Sequence, residues 1–183
     1  MRKKGNYYFE KNYEDQKELL LILKEHASDI LCSEKFKETR NHIQHGSIAV
    51  HRHCMDVARQ SLKISRALHI PVNEREMVRG ALLHDYFLYD WHDTSRENYQ
   101  FWHGFYHPGI ALSNAERDFD LSQTERDIIK KHMWPLTVVP PKCKEAWVVT
   151  MADKYCSTLE TLKLRKGVVR RSVVRSEINK RGK

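Results

Sequence analysis

The chain has 183 residues, 40% hydrophobic and 31% charged, so it is long enough to bury a sizeable core as one domain and has the balance of an ordinary globular protein. No run approaches the roughly 18 apolar residues of a membrane span, the basic start lacks a signal peptide's apolar segment, and four scattered cysteines (Cys32, Cys54, Cys143, Cys156) read as reduced thiols, so a cytoplasmic protein without a membrane partner is expected. The net charge of +8 implies either attraction for anionic molecules or a solvated basic surface, much of it in residues 163–183, and no aromatic-interleaved basic motif indicates nucleic acid.

Seven glycines and five prolines leave few breaks, and the apolar spacing is helical throughout. Residues 14–31 carry Leu19, Leu20, Ile22, Leu23, Ala27, Ile30 and Leu31, a first helix. Residues 47–68 place Val50, Cys54, Val57, Ala58, Ser61, Ser65 and Leu68 on one stripe. Asn73 followed by Glu76 predicts a capping box, opening a helix through Met77, Gly80, Ala81 and His84. Pro108 predicts the first turn of a helix through Ile110, Ala111 and Ala115, with His107 at its N-cap. Ser122 and Glu125 predict a second capping box before Ile128, Ile129 and His132, and Trp134-Pro135 ends that helix. After Pro140-Pro141 a long helix runs through Ala146, Val149, Asp153, Cys156 and on toward Leu162. No run of alternating β-branched residues argues for a sheet, so the fold class is all-α.

Polar groups stand where this pattern calls for apolar ones. Asp153 lies four after Val149 and three before Cys156, where an ionised carboxylate would cost several kcal/mol unless paired with a cation. His84 shares the face of Met77, Gly80 and Ala81, His53 lies beside Val50, Cys54 and Val57, and His132 follows Ile128-Ile129. Each has a plain alternative, a hydrogen-bonded core histidine or an aspartate paired with arginine. Together, on different helices, they can aim at one central point, as ligands do in di-iron bundles. Mixed imidazole and carboxylate ligands suit Mn, Fe, Co, Ni or Zn.

These positions resemble the HD-domain superfamily of metal-dependent phosphohydrolases, in a small single-domain form. His53 opens HCMDVA, similar to the family's H-x-x-x-V-A helix. The doublet His84-Asp85 lies in GALLHDYFLYDWH, and Asp153 lies in VVTMADKYCS, an A-D-K context. The resemblance covers roughly residues 46–156, and the ordered set H…HD…D carries more weight than the doublet. It implies a compact bundle: residues 1–45 as a helical segment packing on the core, 46–165 as the HD domain and 166–183 as a basic tail.

The resemblance further implies that His53, His84, Asp85 and Asp153 hold one divalent ion. His107 in FYHPGIAL and His132 in KKHMWPL resemble the added histidines of HD subfamilies that bind a second ion, with the doublet's aspartate bridging the two. The implied reaction is hydrolysis of a phosphomonoester, phosphoanhydride or nucleotide-type substrate, with Asp85 orienting the attacking water. The run after the doublet lacks the lysine that many HD proteins carry, so the general acid stays open among His92, His103 and Lys154. Arg59, His103, Trp134 and Lys154 are candidates for touching substrate, and Trp91 for stacking on a base. Asp56 reads as helix surface, and His51, two before His53, points about 200° away from it. Three alternatives stand beside the hydrolase: a non-catalytic metal- or nucleotide-binding regulator, a cyclic- or dinucleotide phosphodiesterase (whose glycine-tyrosine-proline signature is absent) and an HD-type di-iron oxygenase.

Overall fold

A computed structural model of the chain describes the backbone of residues 4–45, 48–88 and 99–181, with the side chains of residue 15 and of 17–44, 48–88 and 104–162. Seven α-helices are present among the described residues: α1 Lys4–Cys32, α2 Glu34–Glu38, α3 Val50–Ala67, α4 Glu74–Leu83, α5 Tyr99–Asp118, α6 Gln123–Lys131 and α7 Lys144–Arg181. The all-α expectation holds, with one addition. A short antiparallel hairpin, β1 Ile43–His45 and β2 Ile48–Ala49, precedes α3 and pairs Ile43 with Ala49. Strands of three and two residues are too short for a period-two pattern to register. No described helix is long and apolar enough to cross a membrane.

Local chemistry accounts for most of the boundaries. Ser122 accepts from the Glu125 amide at 3.1 Å and Glu125 returns the bond to the Ser122 amide at 3.3 Å, a complete capping box for α6. Asn73 caps α4 by accepting from the Glu76 amide, but its own N–H donates to Glu145 of α7 at 2.9 Å instead of to Glu76. Half of the predicted box is thus replaced by a tertiary contact. Helix α3 stops in a Schellman turn: Ile70 N–H donates to Ser65 O and His69 N–H to Arg66 O, with His69 at φ 52° in the position glycine usually takes.

The His107–Pro108 boundary is a correction. Helix α5 begins at Tyr99 and runs through Pro108, so His107 is an interior helical residue and not an N-cap. Proline inside a helix removes one hydrogen bond and presses on the carbonyl four residues back, here that of Gly104. Packing of this half of α5 on residues 133–136 compensates, since a Cβ on Gly104 would stand 2.8 Å from Leu136.

The buried core joins Leu23 and Ile30 of α1, Val57 and Leu62 of α3, Met77 and Leu82 of α4, Ile128 and Ile129 of α6, and Val149 and Ala152 of α7. Helix α3 packs on α4 and α7, α4 also on α1 and α6, and α6 on α5 and α7. The buried faces of α3, α4, α6 and α7, with the polar residues they carry, therefore meet inside this frame.

Asp118, at the end of α5, fastens that helix to its neighbours. It accepts from Arg117 at 2.7 Å, Lys35 at 2.8 Å and the Tyr86 hydroxyl at 3.1 Å. Arg117 first, with Lys35 and Tyr86 and against the effect of burial, holds its carboxyl well below the usual carboxylate range. A folded pKa below the unfolded value means stabilisation that is present above about pH 4 and lost as the pH falls toward the folded value. Asp118→Asn is therefore expected to cost about 1 kcal/mol at pH 7. The figure is modest because Lys35 and Arg117 are 53% and 54% exposed. Urea denaturation at several pH values tests this, and a deficit that does not shrink below pH 4 would assign Asp118 a packing role alone.

Candidate metal centre

Six predicted residues converge. His53 sits on the buried stripe of α3 and is fully enclosed; His84 caps the C-terminus of α4 and Asp85 follows it; His107 lies in mid-α5, His132 caps the C-terminus of α6, and Asp153 sits on the inner face of α7. All six are buried, none more than 5% exposed.

Asp85 is the hinge of the arrangement. Its Oδ2 stands 3.3 Å from His84 Nε2 and 3.6 Å from His53 Nε2. Its Oδ1 stands 3.1 Å from His107 Nε2 and 3.4 Å from His132 Nε2. Asp153 Oδ1 completes the first side, 3.2 Å from His53 Nε2 and 3.9 Å from His84 Nε2. On the second side the two Nε2 atoms of His107 and His132 are 2.9 Å apart.

The histidines are oriented by their other nitrogens. His84 Nδ1 lies 2.7 Å from Ala81 O, and His132 Nδ1 lies 2.9 Å from Ile129 O. A carbonyl can only accept, so each Nδ1 must be the donor, and the neutral ring presents the Nε2 lone pair to the cluster. The device is the same twice: a histidine ending a helix folds back on a carbonyl that the last turn leaves without a partner. His53 Nδ1 instead faces the carboxylate of Glu160, 3.1 Å from Oε1 and 3.2 Å from Oε2.

These atoms fit a divalent cation. His53, His84 and Asp153 form one buried group able to hold an ion, and His84, Asp85 and His132 form another. Two ligand atoms each about 2.1 Å from one ion stand roughly 3.0–3.4 Å apart, close to most of the separations above. His84 Nε2 and Asp85 Oδ1 are buried with no hydrogen-bond partner, a costly arrangement unless a cation fills the space between such groups.

Electrostatics point the same way. Burial disfavours charge on His53, but hydrogen bonds to Asp153 and Glu160 outweigh it and raise its pKa to about 10. Burial also opposes charge on His84, and Asp85 overcomes it, holding the ring well above its usual range. Asp85 is held well below its own range, where burial is overcome by His84, His107 and His132. Burial wins at His132, which falls to about 4. Burial is overcome at Asp153 by His53, His84 and Lys154, and its carboxyl stays far below the usual range. Two carboxylates among buried imidazoles thus hold positive charge tightly, and metal binding would displace protons from them.

The candidates for touching substrate divide. Lys154 reaches the edge of the cluster, its Nζ 3.0 Å from Asp153 Oδ2 and 3.3 Å from His132 O. Arg59 does not: it pairs with Asp56 at 3.1 Å, and Asp56 also takes Arg52 at 2.6 Å, as helix surface. Trp134 packs edge-on against Trp147, ring centres 4.8 Å apart, as a loop anchor. His51 points away from the cluster and packs on Phe36 at 5.2 Å. His92, Trp91 and the side chain of His103 lie outside the described residues.

Two participants escaped the sequence reading. Glu160 lies seven residues after Asp153, two helical turns along the same face, a spacing that could have revealed it. Gln44, on β1, donates from Nε2 to Asp85 Oδ2 at 2.5 Å and is 6% exposed. No local signal marks Gln44, because only the hairpin aims it inward. Comparison with family models, curated proteins and solved structures found no significant match to this chain.

Proposed function

We propose that this chain is a metal-dependent phosphohydrolase of the HD type, hydrolysing a phosphomonoester, phosphoanhydride or nucleotide-type substrate. The observation that carries the reading is Asp85: one buried carboxylate whose two oxygens each face a different pair of imidazoles. His53, His84, Asp85 and Asp153 would hold one divalent ion, and Asp85, His107 and His132 a second; Mn, Fe, Co, Ni and Zn all suit this donor set. Such ions supply Lewis-acid chemistry, offsetting phosphoryl charge and lowering the pKa of a water.

The chain's own groups do the rest. Asp85 orients the attacking water. Gln44 holds Asp85 Oδ2 in place through its amide. Lys154, with a side chain 43% exposed beside Asp153, presents a cation to an incoming phosphate and is our candidate donor for the leaving oxygen.

Elemental analysis of the purified protein, beside phosphate release from a chromogenic ester and a panel of phosphorylated metabolites, tests this reading. The expected result is bound transition metal and release that depends on added Mn or Co. Nucleotide binding without turnover would make the centre a regulator's, and a mixed-valence di-iron signal with oxygen uptake would make it an oxygenase's; either outcome refutes hydrolysis.

Glu160 supplies a second check. By holding the Nδ1 proton of His53 it leaves Nε2 free to ligate, so Glu160→Ala should weaken metal binding about 10- to 100-fold while Glu160→Gln retains part of it. Competition against a chromogenic chelator measures both, and equal affinity in Glu160→Ala and the parent protein would remove Glu160 from the centre.

A further inference from the structure

A cavity of about 910 Å³ opens between α5, α6 and the segment leading into α7. It is separate from the metal centre. Pro108 and Lys131 line it, one residue from His107 and His132, but neither histidine does. Its volume is that of a site for a small organic molecule.

Its walls differ in character. Phe105, Pro108, Leu112 and Val139 make an apolar side, with Phe105 43% and Val139 53% exposed. Arg126, Lys130, Lys131 and Lys142 bring four cations to the other. Two of these are neutralised, Arg126 by Glu116 at 2.8 Å and Lys131 by Asp127 at 2.6 Å. Lys130 and Lys142 have no acidic partner among the described residues. Thr137 Oγ1, also in the lining, is buried without a hydrogen-bond partner. The cavity thus combines apolar surface, uncompensated positive charge and an unused hydroxyl.

Gly109 adds an independent observation. Glycine inside a helix costs about 1 kcal/mol relative to alanine and needs a reason. Two other helical glycines have one: a Cβ on Gly80 would meet Ile128 at 2.6 Å, and one on Gly104 would meet Leu136 at 2.8 Å. A Cβ on Gly109 would meet nothing within 4 Å, and Gly109 lines the cavity. No described part of the chain fills the space beside this glycine, so the cavity is open to a ligand there.

We propose that this cavity binds a small anionic amphiphile, an apolar body along Gly109, Leu112 and Val139 with its phosphate or carboxylate head at Lys130 and Lys142. The site does not depend on the metal reading. Octyl phosphate titrated into the 183-residue chain, followed by amide chemical shifts, tests it, with octanol and inorganic phosphate as the two half-ligands. Octyl phosphate should bind at one site, shift the amides of 104–112 and 126–142, and bind at least 10-fold tighter than either half. Gly109→Leu puts a side chain into the open space, its Cβ meeting no protein atom within 4 Å, and gains helix propensity, so it should keep its helical circular dichroism and lose octyl phosphate at least 10-fold. Lys130→Glu/Lys142→Glu should weaken octyl phosphate while leaving octanol unchanged. Affinity no better than that of octanol overturns the anionic head, and undiminished binding to Gly109→Leu places the ligand elsewhere and overturns the site.

Discussion

Asp85→Ala is expected to leave the protein without bound divalent metal and to cut phosphate release by at least about 10³-fold, several kcal/mol of lost charge stabilisation. The carboxylate is 1% exposed and is the only described group that stands within 3.6 Å of all four centre histidines. Without it the two halves of the centre lose their common anion, and the imidazoles of His84 and His132 are left with Asp153, whose Oδ1 is 3.9 Å from His84 Nε2, as a more distant counter-charge. His84 in particular is held well above its usual pKa by Asp85 against burial, so its pKa should fall in the variant. The helical fold should survive, because Asp85 lies in the turn after α4 and fills no part of the apolar core. Metal content, phosphate release and far-ultraviolet circular dichroism, measured on the same preparation, separate the outcomes. Full metal and full activity in Asp85→Ala would sink the assignment. Loss of metal from a protein that never released phosphate would keep the centre and discard the hydrolase.

The largest expected stability effect belongs to Arg79, away from the centre. Its guanidinium donates to Glu125 Oε1 at 2.9 Å, to both oxygens of Asp29 at 2.6 and 2.7 Å, and to Asp120 O at 3.2 Å, so one side chain on α4 ties α1, α6 and the loop before α6 together. Arg79 and Glu125 are 2% and 1% exposed, whereas Asp29 is 56% exposed and contributes little. Arg79→Ala strands the Glu125 carboxylate in the interior, which costs about 3–5 kcal/mol. For a chain of this length that is a fall in Tm of roughly 6–20 °C.

The pH dependence gives the mechanism. Burial already raises the Glu125 pKa and Arg79 pulls against it. With Arg79 gone, burial is opposed by the Ser122 amide and Arg75 without the guanidinium, so the folded pKa climbs further above the unfolded value and the protonated form is favoured. The deficit of Arg79→Ala should therefore be greatest at neutral pH and shrink on acidification. Arg79→Met with Glu125→Gln, which keeps a capping side chain for Ser122 and removes both charges, should recover much of the loss. Denaturant midpoints at pH 5 and 7 decide the matter, and a cost under about 1 kcal/mol for Arg79→Ala would mean that the pair does not hold these helices.

The residues themselves specified the helices and most of the centre. The Ser122–Glu125 box forms as read, the stripe from Val50 to Ser65 is the buried face of α3, and the inward positions of His53, His84, His132 and Asp153 are where their spacing put them. These signals act within one or two turns, so they survive in a sequence read without its fold. His107 failed this kind of reading, because Pro108 looks like a helix start when its neighbours in space are unknown, and packing of Gly104 on Leu136 carries the helix through it.

What required the tertiary structure is whatever joins distant parts of the chain. Glu160 meets His53 across 107 residues, Gln44 meets Asp85 across 41, and Glu145 takes the Asn73 amide across 72. Glu160 shares a helix face with Asp153, but neither that spacing nor anything near Gln44 or Glu145 names the distant partner, since a glutamate on a helix or a glutamine on a two-stranded hairpin is ordinary in itself. Spacing along a helix set which way each ligand faces. The packing of α3, α4, α6 and α7 decided that the faces share one point, with Asp85 turning one oxygen to each side of it.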